Sequence, residues 1–216
     1  MDFEQARFNM VEQQIRTWQV LDQQVLDLMS TLPREDFVPP ALRDLAFADL
    51  QIPLGHGAAM MAPKLEARIV QTLEIAAGDR VLEIGTGSGY LTALLARLAK
   101  HVYSVEIVPE LSESAARKLA AHDIDNVTLE VGDAAQGWIR HAPYDVIVLT
   151  GSTGVLTGIQ DTLALGGRLF AIVGTAPAMV ARLVTRVTDN AFRTTNLFET
   201  CIPPLKNALQ PERFIF

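Results

Sequence analysis

The stretch Glu83-Ile84-Gly85-Thr86-Gly87-Ser88-Gly89-Tyr90 joins a short apolar run, residues 80–84, to a segment of helical composition that begins at Tyr90. In open α/β sheets, ligands lie at the carboxyl ends of the strands, and glycines there let the backbone approach the ligand closely. The stretch therefore predicts an α/β fold with a ligand site at this loop.

Downstream of this glycine loop, short β-rich runs alternate with helical segments. The predicted strands are residues 80–84, 101–105, 127–131, 144–149 and 168–173, and the predicted helices are 90–99, 109–122 and 155–165. Alternation of this kind predicts right-handed βαβ units, with helices on both faces of the sheet. Two further strands, 180–188 and 193–202, flank a short turn and must be antiparallel. We expect a doubly wound, seven-stranded, mostly parallel sheet with an antiparallel C-terminal strand.

Upstream of the loop the sequence is mainly helical. Phe8, Val11, Ile15 and Trp18 recur at helical spacing, residues 25–32 predict a second helix that Pro33 stops, and Pro63 opens a third that reaches about Ala76. Residues 39–57, rich in Pro and Gly, predict a loop with short strands at most. We therefore divide the chain into an N-terminal part, 1–77, packed on an α/β core, 78–216, as one compact unit.

Composition excludes several classes of protein. The 216 residues include 18 Lys plus Arg and 25 Asp plus Glu, a net charge of −7, which disfavours nucleic acids and anionic membranes as partners. Cys201 is the single cysteine, so neither an intrachain disulfide nor a zinc site built on several cysteines can form. With no secretory signal visible and no apolar run long enough to span a bilayer, we expect a cytoplasmic protein.

The glycine loop fits two common nucleotide motifs poorly. In the dinucleotide fingerprint GxGxxG/A the last small residue permits close packing of helix on strand, but here that position holds Tyr90. The lysine of a P-loop is also absent, because no GxxxxGK[ST] occurs. The sequence thus favours neither a pyrophosphate nor a triphosphate.

Acidic residues at three predicted strand ends point to another ligand. Glu83, Glu106 and Asp133 would converge on one crevice, where an acid can bind ribose hydroxyls. An acidic crevice without phosphate-binding groups suits a nucleoside that carries positive charge. S-adenosylmethionine, a sulfonium, is such a ligand.

With these motifs the sequence resembles class I methyltransferases and, more narrowly, the protein-L-isoaspartate O-methyltransferase family. The resemblance covers nearly the whole chain. It is carried by residues 81–90, Val105-Glu106, 131–133 with Gly137-Trp138, 53–57 with Ala62-Pro63, 166–169 with Val173-Gly174, and Pro204-Leu205.

The resemblance implies a Rossmann-like fold, S-adenosyl-L-methionine as cofactor, and a protein or peptide bearing isoaspartate, or a small carboxylate, as acceptor. It implies a monomer without a metal site. The implied cofactor-binding residues are Glu83, Gly85, Thr86, Gly87, Ser88, Gly89, Tyr90, Glu106, Ile107, Asp133 and Ala134. The implied substrate-binding residues are His56, Ala59, Met60, Met61 and Ile202.

The sequence departs from the family in the loop that precedes the first βαβ unit. After Gly57 the family carries Gln-Thr-Ile-Ser, whereas this chain has Ala58-Ala59-Met60-Met61, so Met61 occupies the serine position. Methionine has no donor for a carboxylate oxygen. No catalytic residue is identified, and an ionised carboxylate acceptor needs no general base. Two alternatives stay open: the same fold with another acceptor, such as a small metabolite or modified peptide, and a non-catalytic S-adenosylmethionine-binding module.

Overall fold

The computed structural model describes residues 2–156 and 158–209. The N-terminal third of this part is helical with one small hairpin. Its elements are α1 (Phe3–Met10), α2 (Gln23–Thr31), β1 (Ile52–Gly55), β2 (Ala58–Met60) and α3 (Pro63–Leu73). The carboxylate of Asp22 caps α2 by accepting hydrogen bonds from the N–H groups of Gln24 and Val25, which are otherwise unpartnered in a first turn. Helix α3 is shorter than predicted because Glu74 takes a left-handed conformation, φ 45°, and ends it.

The first helical face is only partly as predicted. Val11 and Ile15 are buried, but Phe8 is 61% exposed. After Met10 the chain forms a π-helical segment, Val11–Ile15, and then a 3₁₀ turn. Because these have different numbers of residues per turn from an α-helix, the apolar face does not continue in the α-helical phase, and the prediction for Phe8 was wrong.

The predicted seven-stranded sheet is confirmed. It is formed by the elements β3 (Arg80–Ile84), α4 (Tyr90–Leu98), β4 (His101–Glu106), α5 (Pro109–Ala121), β5 (Val127–Val131), β6 (Tyr144–Leu149), β7 (Leu163–Thr175), β8 (Ala178–Thr188) and β9 (Ala191–Thr200). The strand order is β5-β4-β3-β6-β7-β8-β9. The first five strands of that order are parallel, and β8 is antiparallel to both of its neighbours.

The helix predicted over residues 155–165 is wrong. Apart from a 3₁₀ turn at Gln160–Thr162, the described part of this connection is irregular, and β7 already begins at Leu163. Gly158 lies at φ +86°, where a Cβ would stand 3.0 Å from the carbonyl oxygen of Gln136. The connection is therefore shaped by its contact with the loop after β5, which helical composition does not reveal.

Two apolar clusters cover the faces of the sheet. On one face, side chains from the N-terminal third, such as Met29 and Ile69, share a cluster with Val102 and Phe170 of the strands. On the other face, Ile159 and other residues of the connecting loops fill the place of the missing helix. The division at residue 77 stays a prediction, and its far limit, residue 216, lies outside the described residues.

No helix among the described residues is both long and apolar enough to cross a membrane.

Candidate functional site

A cleft lies at the carboxyl ends of β3, β4, β5 and β6, where parallel sheets bind their ligands. The space between its walls, including the part that is open to solvent, is about 790 Å³. The sheet side is formed by residues that follow these four strands, and the opposite side by the β1–β2 hairpin and a C-terminal segment. Of the predicted site residues, the following line it: Gly85, Gly87, Glu106, Ile107, Asp133, Ala134, Ala59, Met61 and Ile202.

The glycine loop is shaped for close contact. Gly85, Gly87 and Gly89 all have positive φ, at 96°, 53° and 84°. A Cβ on Gly85 would lie 2.2 Å from Oγ1 of Thr150, and one on Gly89 would lie 3.0 Å from Cβ of Ala115 on α5. Gly85 therefore permits the loop to meet the end of β6, whereas Gly89 permits α4 to pack on α5.

Two acids lie in the cleft. Glu106 is 5% exposed, and its carboxylate accepts hydrogen bonds of 2.9 Å from the N–H groups of Gly87 and Val108. Asp133 is exposed, and it accepts one hydrogen bond from the N–H of Ala135, 3.0 Å, and one from the amide of Asn207, 2.9 Å. Both carboxylates are thereby held at the edge of the cleft.

The third predicted acid points elsewhere. Glu83 is fully buried and does not line the cleft; its Oε2 accepts hydrogen bonds from Ser104, 2.6 Å, and Thr92, 2.5 Å. Burial raises the pKa of Glu83 to about 8 although these hydroxyls oppose the shift. Convergence of three carboxylates is therefore corrected to two, because the side chain of Glu83 points into the core.

Four further predicted cofactor residues support the loop from behind rather than lining the cleft. Tyr90 is fully buried, with its ring edge-on to Phe37 at 5.4 Å between centroids. Thr86 pairs with Ser104, 2.6 Å, and Ser88 accepts a 3.2 Å hydrogen bond from the N–H of Tyr90. Gly89 packs on α5, as described above. The side chains of Tyr90, Thr86 and Ser88 therefore support the loop, and contact of these four residues with the cofactor stays a prediction.

The β1–β2 hairpin brings the predicted substrate residues to the cleft unevenly. Ala59 and Met61 line it, while His56 sits in the exposed turn at φ 53° and Met60 is buried beneath the hairpin. Neither His56 nor Met60 lines the cleft, so both are corrected to positions away from it. Met61 is 5% exposed.

A buried ion pair that the sequence did not reveal holds this hairpin. Arg34 is fully buried and pairs with Glu66 on α3, and its other guanidinium nitrogens donate to the carbonyl oxygens of Met61, 2.6 Å, and Ala46, 2.7 Å. Burial raises the pKa of Glu66 to about 7, and Arg34 partly offsets that rise. The sequence gives no indication of this burial, because Arg34 follows a helix and belongs to no periodic apolar pattern.

The segment 202–207, which we call the C-terminal strap, forms the remaining wall. Its main chain pairs with Ser152 after β6: the N–H of Ser152 donates to Pro203 and that of Leu205 donates to Ser152, each at 2.9 Å. Ile202 was predicted here, whereas Pro203, Leu205 and Lys206 were missed as lining residues. The dipeptide Pro204-Leu205, noted for its family resemblance, was the available signal.

An open parallel sheet, a glycine loop after its first strand, and acids after the next two strands define the class I methyltransferases. Comparison with known proteins narrows the class to a family. The family model described as Protein-L-isoaspartate(D-aspartate) O-methyltransferase (PCMT) matches residues 5–209. The chain belongs to this family.

Relatives agree over most of their lengths. Protein-L-isoaspartate O-methyltransferase 1 of Rhodopseudomonas palustris (strain HaA2) is 41% identical over 206 residues, covering 94% of this chain and 84% of the relative. Protein-L-isoaspartate O-methyltransferase of Methanoculleus marisnigri (strain ATCC 35101 / DSM 1498 / JR1) is 41% identical over 201 residues, covering 92% and 90%.

Solved structures agree in fold. A protein-L-isoaspartate O-methyltransferase superposes with a TM-score of 0.78 at 25% identity; the match covers 92% of this chain and 65% of that one, less than two thirds of its length. A Plasmodium falciparum structure, titled a putative member of the same family in complex with S-adenosyl-L-homocysteine, has a TM-score of 0.76 at 20% identity and covers 95% and 98%. The predicted fold and family are thereby confirmed.

Proposed function

We propose that this chain transfers the methyl group of S-adenosyl-L-methionine to the free carboxylate of L-isoaspartyl residues in damaged proteins or peptides, a step of protein repair. The observation that carries the proposal is the family match over residues 5–209, together with the glycine loop and acids that line one cleft. Its relatives are named for this reaction.

The cleft fits the cofactor. Glu106 uses one lone pair of each oxygen for backbone N–H groups and retains others for ribose hydroxyls. Asp133, Ile107 and Ala134 border the neighbouring part of the cleft and would hold the base. The absence of a Cβ at Gly85 and Gly87 lets the backbone approach the ligand. The net acidic character of this part suits a sulfonium, since opposite charges attract more strongly in a partly dry site.

The reaction requires no general base from the protein. The cofactor supplies an electrophilic methyl group, and a carboxylate with a pKa near ~4 is already ionised at neutral pH. The residues of this chain therefore bind, align and exclude water, and holding two reactants in line contributes up to ~7–11 kcal/mol. Met61, Ile202 and Leu205 present apolar walls for that purpose.

Other properties of the protein belong to the same proposal. The sheet, the hairpin and the strap of one chain together form walls on both sides of the cleft, and we extend the proposal to a monomer. A single cysteine, Cys201, suits a reducing compartment, which supports a cytoplasmic location. The net charge of −7 supports partners other than nucleic acids or anionic membranes.

One observation favours a second candidate function within the same fold. Met61 lines the cleft where the family carries a serine, so this position offers no hydroxyl to an acceptor oxygen. A more apolar acceptor, such as a small metabolite or a modified peptide, would leave fewer polar groups unpaired there.

The decisive experiment incubates the protein with methyl-labelled S-adenosylmethionine and either an isoaspartyl peptide or the matched aspartyl peptide. Cofactor binding is measured by calorimetry in the same preparation. The proposal expects base-labile methyl ester on the isoaspartyl peptide alone. Bound cofactor without ester would refute the isoaspartyl acceptor and leave the second candidate.

The variant Met61→Ser separates the two candidates. If isoaspartyl peptides are the natural acceptor despite Met61, the variant should change the rate little. If the acceptor is more apolar, restoring the hydroxyl should raise isoaspartyl methylation. Glu106→Gln, which weakens a cofactor contact, is the control that should lower both.

A further inference from the structure

The C-terminal strap crosses the cleft between two anchors. At one end the N–H of Leu205 donates to the carbonyl oxygen of Ser152, 2.9 Å, and at the other the amide of Asn207 donates to Asp133, 2.9 Å. Ser152 follows β6 and Asp133 follows β5, while the sheet order is β5-β4-β3-β6. The strap therefore passes over the ends of β4 and β3, above Glu106 and the glycine loop.

Lys206 lies between these anchors and lines the cleft. Among the described lining residues it is the single cation, beside the acids Glu106 and Asp133. Its own neighbours in the strap are held by hydrogen bonds, so its backbone is fixed at the rim. Within the described part of the chain, no carboxylate oxygen lies within 4.0 Å of its Nζ.

Several other donors of the cleft are already in use. The hydroxyl of Thr150 donates to the carbonyl oxygen of Gly85, 2.7 Å, and the amide of Gln51 donates to that of Cys201, 3.1 Å. In the glycine loop, the N–H of Gly85 donates to Val105, 2.8 Å, and the N–H of Gly87 donates to Glu106. Met61 has no donor in its side chain. The Lys206 ammonium, by contrast, offers three N–H donors that carry a positive charge, which no other described lining residue does.

We infer that Lys206 is the carboxylate-binding residue of this cleft. The inference rests on the proposed function, which brings two carboxylates to the site: that of the amino-acid part of S-adenosylmethionine and that of the acceptor. Either would otherwise meet a cleft whose other charged side chains are acidic, Glu106 and Asp133. An ammonium on a flexible stem pairs with a carboxylate as a point charge, so Lys206 offers either carboxylate a charged donor.

The test compares Lys206→Met, which keeps the length of the side chain but not its charge, with Lys206→Arg, which retains the charge. Lys100→Met is the matched control, because Lys100 is exposed and directly precedes β4, at the edge of the sheet opposite the cleft. Calorimetry without any acceptor gives the Kd of S-adenosylmethionine and of decarboxylated S-adenosylmethionine, which lacks only the carboxylate. Binding of the isoaspartyl peptide to protein loaded with S-adenosylhomocysteine is measured separately, with the KM.

A loss of about tenfold or more is expected for whichever carboxylate Lys206 binds. If it is the cofactor's, Lys206→Met weakens S-adenosylmethionine but not the decarboxylated form. If it is the acceptor's, cofactor affinity stays constant while the Kd and KM of the peptide rise. Lys206→Arg should recover most of either loss, and Lys100→Met should change neither.

The inference is overturned if Lys206→Met leaves the Kd of the cofactor within twofold of the wild type and also leaves the binding of the peptide unchanged. The same conclusion holds if the cofactor Kd is unchanged and the wild type binds no peptide. A Lys206-dependent cofactor Kd in a protein that methylates no isoaspartyl peptide would uphold the inference and refute the proposed acceptor instead.

Discussion

Replacement of Arg34 by methionine tests the role of the buried ion pair beneath the hairpin. The guanidinium is fully buried and donates to the carboxylate of Glu66 and to the carbonyl oxygens of Met61 and Ala46. It also lies over the ring of Tyr90, 4.9 Å from the centroid. Arg34→Met keeps an unbranched apolar stem of similar reach but leaves these acceptors without their donor.

The expected loss of stability is large. Removing one partner of a buried ion pair costs about 3–5 kcal/mol, because it leaves Glu66 and two carbonyl oxygens buried without their donor and obliges Glu66 to remain protonated. With a urea dependence of about 2–3 kcal/mol/M, the unfolding midpoint should fall by about 1–2 M. The hairpin that carries Met61 should also loosen, so the KM of the acceptor should rise more than the Kd of the cofactor.

The pH dependence of this loss has a definite sign. Burial already raises the pKa of Glu66 to about 7, and removal of Arg34 raises it further. A carboxyl with a raised pKa in the folded state stabilises below its unfolded pKa and loses that contribution as pH rises through the folded value. The wild type loses it near pH 7, whereas the variant continues to lose it above that pH. The deficit in unfolding free energy should therefore widen between pH 7 and pH 9.

Urea unfolding followed by circular dichroism at pH 6 and pH 9 measures this deficit. Arg43→Met is the matched control, since Arg43 pairs with Asp36 at a side-chain exposure of 49% and 36%, where a pair contributes about 0–1 kcal/mol. A loss below about 1 kcal/mol for Arg34→Met, or a deficit that narrows toward pH 9, would refute the reasoning.

Three other substitutions probe the core and the cleft. Burial raises the pKa of Glu83 to about 8, so the wild type loses stability as pH rises toward that value. Glu83→Gln should therefore show a shallower decline in melting temperature between pH 6 and pH 9. Parallel melting-temperature curves for the two proteins would contradict this. Glu106→Gln should raise the Kd of S-adenosylhomocysteine, measured by calorimetry, more than tenfold. Glu110→Gln, on the exposed side of α5, is the control. An unchanged Kd for Glu106→Gln would refute the assignment of Glu106 to the ribose hydroxyls. Gly151→Ala should weaken the same binding because its Cβ would lie 2.8 Å from the N atom of Leu205 and displace the strap, whereas Gly78→Ala, with open space around it, should not.

Three of the five parallel strands could be predicted to the residue, whereas β7 is longer than the predicted strand 168–173 at both ends. Residues 80–84, 127–131 and 144–149 are short β-rich runs that flank the glycine loop and its helices, and their observed bounds equal the predicted ones. The positions of Glu106 and Asp133 followed from the same logic, because the carboxyl ends of parallel strands meet at one edge. The prediction that Glu83 lies in the crevice was wrong, because a residue's position along a strand does not determine whether its side chain points into the cleft or into the core.

The rest depended on contacts between distant segments. Arg34 meets Glu66 across 32 residues, and Asn207 meets Asp133 across 74. Each contact places a polar group where local composition predicts only a loop. The predicted helix 155–165 failed for the same reason, since Gly158 is positioned by Gln136 rather than by its own neighbours.

The distribution of these contacts also separates two tasks within the cleft. The groups proposed to hold S-adenosylmethionine are Gly85 and Gly87, in the loop after β3, and Glu106, at the end of β4. Hydrogen bonds connect this loop directly to β4. The opposite wall, with Met61 and Lys206, stands on a hairpin and a strap that are held by a few polar contacts outside the sheet. Methyl transfer to a carboxylate needs alignment rather than a base, so the choice of acceptor depends on the shape and charge of the walls that align it. Met61 and Lys206 are therefore tested by separate measurements: Met61→Ser by the rate of isoaspartyl methylation, and Lys206→Met by the Kd of whichever carboxylate its ammonium binds.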